Sequence, residues 1–105
     1  MSKDSTIVTI RYVAQPGMGA ALREALQRLV ATVVETEPDC FSIQLLHDPS
    51  DETRVLLVER WSTRAAYEGP HMQTPHLLAF IGHARAWVAG PPTIEFWPHT
   101  EQFGA

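Results

Sequence analysis

Cysteines and long apolar runs are nearly absent from this sequence of 105 residues. It has one cysteine, Cys40, which cannot form an intramolecular disulfide, and no apolar segment that approaches the roughly 20 residues needed to span a bilayer. The first residues, MSKDSTIVTI, also lack the apolar run followed by small residues that a signal peptide needs. These absences predict a soluble protein of the reducing cytoplasm, with no membrane partner.

Clusters of positive charge are absent as well. The chain carries 8 Lys and Arg against 12 Asp and Glu, for a formal net charge of −4, and its basic residues are scattered. Proteins that bind nucleic acid usually concentrate positive charge on one element, so we expect no nucleic acid as a partner. The glycines form no phosphate-binding loop, and no Ser or Cys lies in the strand-turn-helix elbow of a nucleophile. The histidines lack the HExxH spacing, so we expect no metal.

The residues that are present predict one α+β domain over residues 1–105. Hydrophobic residues make up 45% of the chain, and alternating or β-branched runs predict strands at 6–13, 40–47, 54–61 and 93–97. A first helix ends before Pro38, and its apolar stripe is predicted at Met18, Ala21, Leu22, Ala25, Leu26, Leu29, Val30 and Val33.

The chain between the third and fourth strands predicts two further helical segments. Ser62 is expected to cap a short helical turn, and a second long helix starts at Thr74-Pro75 and ends before Gly90. Its buried stripe is predicted at Leu77, Leu78, Ile81, Ala84 and Val88. A second face is aromatic and predicts the lining of a slot between helix and sheet, or a subunit contact; it carries His76, Phe80, His83 and Trp87.

The order β-α-β-β-α-β is typical of the ferredoxin-like fold, an antiparallel sheet with both helices on one face. The third strand, RVLLVERW, is apolar on both faces, which requires cover on both. A second subunit is the simplest cover, so we predict a homodimer packed sheet against sheet, as in a dimeric α/β barrel. The alternative is a monomer that tolerates an exposed apolar face.

The segment ERWSTRAAYEGPHMQTPHLLAF, residues 59–80, concentrates the candidate site residues. Glu59 lies between apolar neighbours of its strand, so it is either a structural carboxylate or a base or orienting group. Trp61 suits a core position or a pocket wall, and Tyr67 suits a buried structural position or a hydrogen bond to a substrate oxygen. His71 and His76 lie five residues apart and fit either a site or the polar edge of a core.

This segment and the strand before it resemble the antibiotic biosynthesis monooxygenase-like family of dimeric α+β barrels, which includes quinol monooxygenases. The resemblance rests on Asp48-Pro49 before the turn, Glu59-Arg60-Trp61 at a strand end, the His71 to His76 link with its TPH sequence, and Phe80. It implies an oxygenase without a cofactor that binds a phenolic, quinol or polyketide-like aromatic substrate between sheet and helices and uses dioxygen.

The resemblance also implies roles for individual residues. Trp61, Tyr67 and His47 are similar to residues that line the cavity of polyketide-oxidising members, whereas Leu57 replaces an asparagine of those members. The haem-degrading branch is not matched: His83 lies near the place of its iron ligand, but the first strand has no Asn and the link has no Trp.

On this hypothesis a histidine removes the proton of the substrate hydroxyl, because its pKa lies near 6.5. The predicted catalytic residues are His71 or His76 as the base, with Glu59 as orienting partner. The predicted substrate-binding residues are Trp61, Tyr67, His47, Phe80 and His83. Two alternatives stay open: an isomerase or other base-catalysed enzyme acting on a small oxygenated metabolite, and a non-catalytic dimer that binds a small ligand.

Overall fold

A four-stranded antiparallel sheet carries all the helices on one face. The computed structural model describes residues 5–104, and the predicted domain bounds extend beyond these residues at both ends. The elements in chain order are β1 (Thr6–Val13), α1 (Gly19–Thr36), β2 (Cys40–Asp48), β3 (Asp51–Trp61), α2 (Arg64–Glu68), a 3₁₀ turn (Pro70–Gln73), α3 (Pro75–Ala84) and β4 (Thr93–Trp97). The strand order is β2-β3-β1-β4, which is the ferredoxin-like order. The predicted ferredoxin-like α+β fold is confirmed.

The helix α1 begins where the turn before it meets β3. The first N–H groups of a helix have no partner within it, and here the carboxylate of Glu52 accepts from the backbone N–H of Gly17 at 2.9 Å and of Gly19 at 2.8 Å. A side chain at Gly19 would overlap the carbonyl oxygen of Glu52, so this close contact requires glycine. The helix ends at Thr36, just before Pro38 as predicted, and Leu22, Leu26 and Val33 form the most buried part of its stripe.

The strand β3 confirms the predicted parity. Val55, Leu57, Glu59 and Trp61 point toward the helices and are buried. The opposite sheet face has no helix over it among the described residues. It presents large apolar side chains that are about half exposed: Val13, Leu46 and Trp97.

The segment after β3 corrects two predictions. Thr63, not Ser62, caps α2 by accepting from the N–H of Ala66 at 3.0 Å, because the Ser62 hydroxyl instead bonds Asp39 at 2.6 Å. Thr74 caps α3 as predicted, with Pro75 in its first turn.

The second correction concerns the faces of α3. Leu77, Phe80 and Ala84 are its buried residues, whereas Leu78 is 52% and Ile81 42% exposed. The helix also ends at Ala84, before the predicted position, because the chain turns to pair with the end of β1: Val88 bridges Ala14, and the N–H of Ala89 donates to the carbonyl of Val13. Half-buried Val88 lies outside the helix.

Candidate active site

Glu37 joins the two histidines of the link. It follows the last residue of α1, and its carboxylate lies 2.9 and 3.1 Å from Nδ1 of His71 and 2.6 Å from Nε2 of His76. The two imidazoles therefore meet on one carboxylate, although His71 lies in the 3₁₀ turn and His76 in the first turn of α3. The Thr74 cap fixes the chain between them, since its hydroxyl also donates to the carbonyl of His71 at 2.9 Å.

The two imidazoles differ in access. The side chain of His71 is 5% exposed and that of His76 is 21% exposed, while the Glu37 side chain is 12% exposed. Burial lowers the pKa of His71, and the neighbouring Glu37 carboxylate opposes that effect only in part. His71 is therefore a neutral imidazole near pH 7, held behind His76.

An aromatic cluster packs against His71. The ring of Trp61 lies 4.6 Å from the imidazole centre of His71, and the ring of Tyr67 lies 5.0 Å from it. Trp61 and Tyr67 meet edge to face at 5.5 Å, and Phe96 of β4 contacts Tyr67 edge to face at 5.6 Å. These side chains pack between the sheet and α2, and Tyr67, which is 5% exposed, is part of the core.

Glu59 lies inside this core, and no hydrogen bond joins it to a histidine among the described residues. Its carboxylate accepts a 2.8 Å hydrogen bond from Nε1–H of Trp61. Burial raises the pKa of Glu59 from its ordinary value of 4.5 to about 7, the Trp61 hydrogen bond opposes this, and the charge of Glu37 adds to it. The predicted pairing of Glu59 with a histidine is corrected: Glu37 occupies that place.

The other ionisable groups near Glu59 stay protonated at neutral pH. Burial, assisted by the charge of Glu59, raises the pKa of Tyr67 and of Tyr12 well above its ordinary value. The same causes raise the pKa of the Cys40 thiol to about 12. The two phenols can therefore donate hydrogen bonds but do not act as bases, and Cys40 is not a thiolate.

His76 lines a groove of about 210 Å³ between α1 and α3. Its walls include Phe80, His83 and Trp87, the aromatic set predicted from the helical spacing, and Arg28 of α1 lies opposite. The predicted slot thus exists, but it lies between two helices and not between helix and sheet. Phe80 is buried and lies 6.5 Å from the ring of Trp87.

A larger cleft lies on the other side of Phe80. It has a volume of about 460 Å³ and is mostly apolar; its walls are Tyr12, Phe80, Ile81, Ala84, Arg85, Val88 and residues 90–92. Tyr12 and Phe80 meet edge to face at 6.2 Å. Phe80 therefore separates the histidine-lined groove from an apolar cleft of the size that holds small organic molecules.

His47 lies apart from the other candidates. It pairs with Val55, six residues along β3 from Trp61, which at roughly 3.3 Å per residue places it about 20 Å from that tryptophan. It is exposed and lines a separate pocket of about 380 Å³ that also contains Asp48 and Arg54. The structure thus brings together Trp61, Tyr67 and the two link histidines, and leaves His47 outside that group.

Two residues of this site were not predicted from the sequence. Glu37 carries a signal in retrospect: a carboxylate at the carboxyl end of a helix is disfavoured by the helix dipole, so it needs another reason to be there. Arg28 lies on the polar side of α1 and carries no comparable signal.

Among residues 5–104, no group of three or more His, Cys, Asp or Glu side chains is arranged to hold a metal ion.

The sequence comparison decides the family. The model of the antibiotic biosynthesis monooxygenase family matches residues 5–83. The chain belongs to this family. The matched part contains Glu37, both link histidines and the Glu59-Trp61 pair, so the whole polar cluster lies within the family domain. No curated protein matches the chain.

Solved structures agree with the family fold. PA3566 from Pseudomonas aeruginosa is 29% identical, with a TM-score of 0.80, and the match covers 96% of this chain and 98% of that one. Rv0793 from Mycobacterium tuberculosis is 22% identical over 95% and 99% of the two chains, with a TM-score of 0.80. A Nitrosomonas europaea protein, proposed to be an antibiotic biosynthesis monooxygenase, is 20% identical over 99% and 98%, with a TM-score of 0.84. In residues 5–104 of the present chain, no helix is long and apolar enough to cross a membrane.

Proposed function

We propose that the protein is a monooxygenase that oxidises a phenolic or quinol ring with dioxygen and without a cofactor, and that His76 is its general base. The observation that carries this proposal is the placement of His76. Its Nε2 bonds Glu37, its ring lines the aromatic groove, and Nδ1 is the nitrogen left to accept a proton. Membership of the monooxygenase family supports the same reaction class.

The groove suits an aromatic ring that carries an ionisable hydroxyl. Phe80 and Trp87 provide flat apolar walls, and the guanidinium of Arg28 together with His83 provides hydrogen-bond donors. A positive guanidinium stabilises a phenolate more than the neutral phenol, so it assists removal of the proton. Larger ring systems would extend past Phe80 toward the apolar cleft beside Tyr12.

The reaction needs few groups from the protein. Nδ1 of His76 takes the hydroxyl proton, and the phenolate gives one electron to dioxygen, which yields a phenoxyl radical and superoxide. These recombine to form a carbon–oxygen bond at a ring carbon that bears hydrogen, and the imidazolium returns the proton to the peroxide. Loss of water then breaks the oxygen–oxygen bond and leaves a carbonyl at that carbon. One oxygen atom enters the product and the other leaves as water, and the substrate provides all four electrons that reduce dioxygen.

The buried residues behind His76 have supporting roles in this proposal. His71 is packed by Trp61 and Tyr67 and is 4% exposed, which favours His76 over His71 as the group that meets the substrate. Glu59 has no route to a substrate in the groove, and its hydrogen bond holds the Trp61 ring in place. His47 would contact substrate only at the separate pocket at the other end of the sheet.

We further propose that the protein forms a homodimer through the open sheet face. Val13, Leu46 and Trp97 are exposed there beside the partly buried Leu56 and Val58. Apolar surface of this kind on one sheet face seldom remains in water, and a second copy of the same face would cover it symmetrically.

The base assignment is tested by comparing His76→Ala with His71→Ala and with His99→Ala, an exposed histidine outside the helices and strands that serves as the control. Oxygen uptake and product are followed with a panel of single-ring and fused-ring quinols and phenols. A positioned general base contributes roughly 100-fold or more, so His76→Ala should lower kcat by about that factor while His99→Ala changes nothing. Wild-type turnover by folded His76→Ala would remove His76 from this role.

A further inference from the structure

The carboxylate of Glu37 receives two imidazole nitrogens at once, and this contact fixes which nitrogen of each ring carries the proton. We infer that Glu37 is a positioning residue that sets the tautomers of His71 and His76 and thereby exposes a bare Nδ1 of His76 to the groove. This inference rests on the proposed function for its kinetic part only. The tautomers themselves are a property of the protein without substrate.

The proton count follows from the hydrogen bonds. An ionised carboxylate only accepts, so each ring nitrogen that faces it must carry a hydrogen. His71 faces Glu37 with Nδ1 at 2.9 Å, and His76 faces it with Nε2 at 2.6 Å. Neutral His71 is therefore the Nδ1–H tautomer, with Nε2 bare, and neutral His76 is the Nε2–H tautomer, with Nδ1 bare. The two rings hold opposite tautomers on one carboxylate.

Burial of the Glu37 side chain favours this pair of tautomers over the others. The Glu37 side chain is 12% exposed, and a buried carboxylate without donors is strongly unfavourable, so the two N–H groups satisfy it. The aromatic contact of Trp61, 4.6 Å from the His71 ring, limits rotation of that imidazole. His71 is thus the fixed member, and Glu37 transmits its orientation to the more exposed His76.

The sharpest test replaces the carboxylate by an amide of the same shape. In Glu37→Gln the side chain has one acceptor oxygen and one donor NH₂, so it can accept from one ring but must donate to the other. One imidazole then has to present a bare nitrogen and move its proton to the far side of the ring. Glu35→Gln, two residues away on the exposed side of α1, is the matched control.

Nitrogen-15 NMR of the imidazoles reads the tautomers directly. We expect Nδ1–H for His71 and Nε2–H for His76 in the wild type and in Glu35→Gln, and a switch of one of the two rings in Glu37→Gln. The wild-type spectrum tests the inference even if Glu37→Gln does not fold. Any other wild-type pair of tautomers, or an unchanged pair in folded Glu37→Gln, would overturn it.

Kinetics separate this inference from the proposed function. With an active quinol, Glu37→Gln should lower kcat by roughly 10- to 100-fold with little change in KM, because the base is misoriented while the groove walls remain. Unchanged kcat in folded Glu37→Gln would contradict the positioning role. If no quinol or phenol is turned over by the wild type, the proposed function fails while the NMR result still decides the tautomers.

Discussion

Glu59 should make the stability of the protein depend on pH in an unusual direction. The residue is 4% exposed, and burial raises the pKa of its carboxyl from 4.5 to about 7. At pH values between 4.5 and about 7, the Glu59 carboxyl keeps its proton in the folded protein but has lost it in the unfolded chain. The folded state therefore binds more protons than the unfolded state. Unfolding is then favoured as the pH rises, and the stabilising effect of the bound proton is lost between pH 4.5 and 7.

The size of this effect follows from the two pKa values. A tenfold change in proton affinity corresponds to about 1.4 kcal/mol, so a pKa that moves from 4.5 to about 7 corresponds to about 3 kcal/mol. Glu59→Gln cannot ionise, and its oxygen can still accept the hydrogen bond from Trp61. The free energy of unfolding of Glu59→Gln, relative to the wild type, should therefore grow by about 3 kcal/mol from pH 4 to pH 8.

Urea denaturation at several pH values measures this difference directly. The protein concentration is kept fixed, because association with a second subunit would also change the apparent stability. Buried His71 makes an opposing contribution, because its lowered pKa makes the fold gain stability as the pH rises. This contribution is the same in the wild type and in Glu59→Gln, so it cancels in the difference between their free energies of unfolding. Glu35→Gln on the exposed side of α1 is the control. A difference that stays constant from pH 4 to pH 8 would show that Glu59 is not held in an apolar environment.

Two further predictions concern the fold and the subunit contact. Gly19→Ala should destabilise the protein by about 1 to 3 kcal/mol, because the new methyl group would overlap the carbonyl of Glu52. Gly82→Ala, on the open surface of its helix, is the control and should leave the stability unchanged. Equal melting temperatures for Gly19→Ala and the wild type would contradict the close contact at Gly19. Leu56→Asp on the open sheet face should convert the dimer to a monomer in sedimentation experiments. Leu78→Asp, on the outer side of α3, is the control. A wild-type protein that is monomeric at all concentrations would refute the proposed interface.

Strand patterns in the sequence are sufficient to predict the sheet. The alternation along β3 correctly places Leu57, Glu59 and Trp61 together on one face, because side chains on a strand alternate strictly. The pattern on α3 is less decisive. Leu77 and Leu78 lie next to each other, so two different stripes fit the sequence, and only packing selects the one that buries Phe80 and Ala84 and leaves Ile81 exposed.

The centre of the site could be predicted only in part. The link histidines and Trp61 lie within fifteen positions of one another, and their proximity follows from the short connection between β3 and α3. Glu37 is 34 residues from His71 and 39 from His76, so its contact with both depends on how α1 packs beside α3. His47 was assigned by family resemblance, and register along the sheet separates it from the cluster.

The ratio of oxygen consumed to product formed, compared with the same incubation without oxygen, tests the central proposal most directly. The proposed reaction predicts one dioxygen consumed per molecule of oxidised quinol or phenol, no product under anaerobic conditions, and loss of both signals in His76→Ala. Product that forms at the same rate without oxygen would contradict a monooxygenase and point to base-catalysed isomerisation at the same histidine.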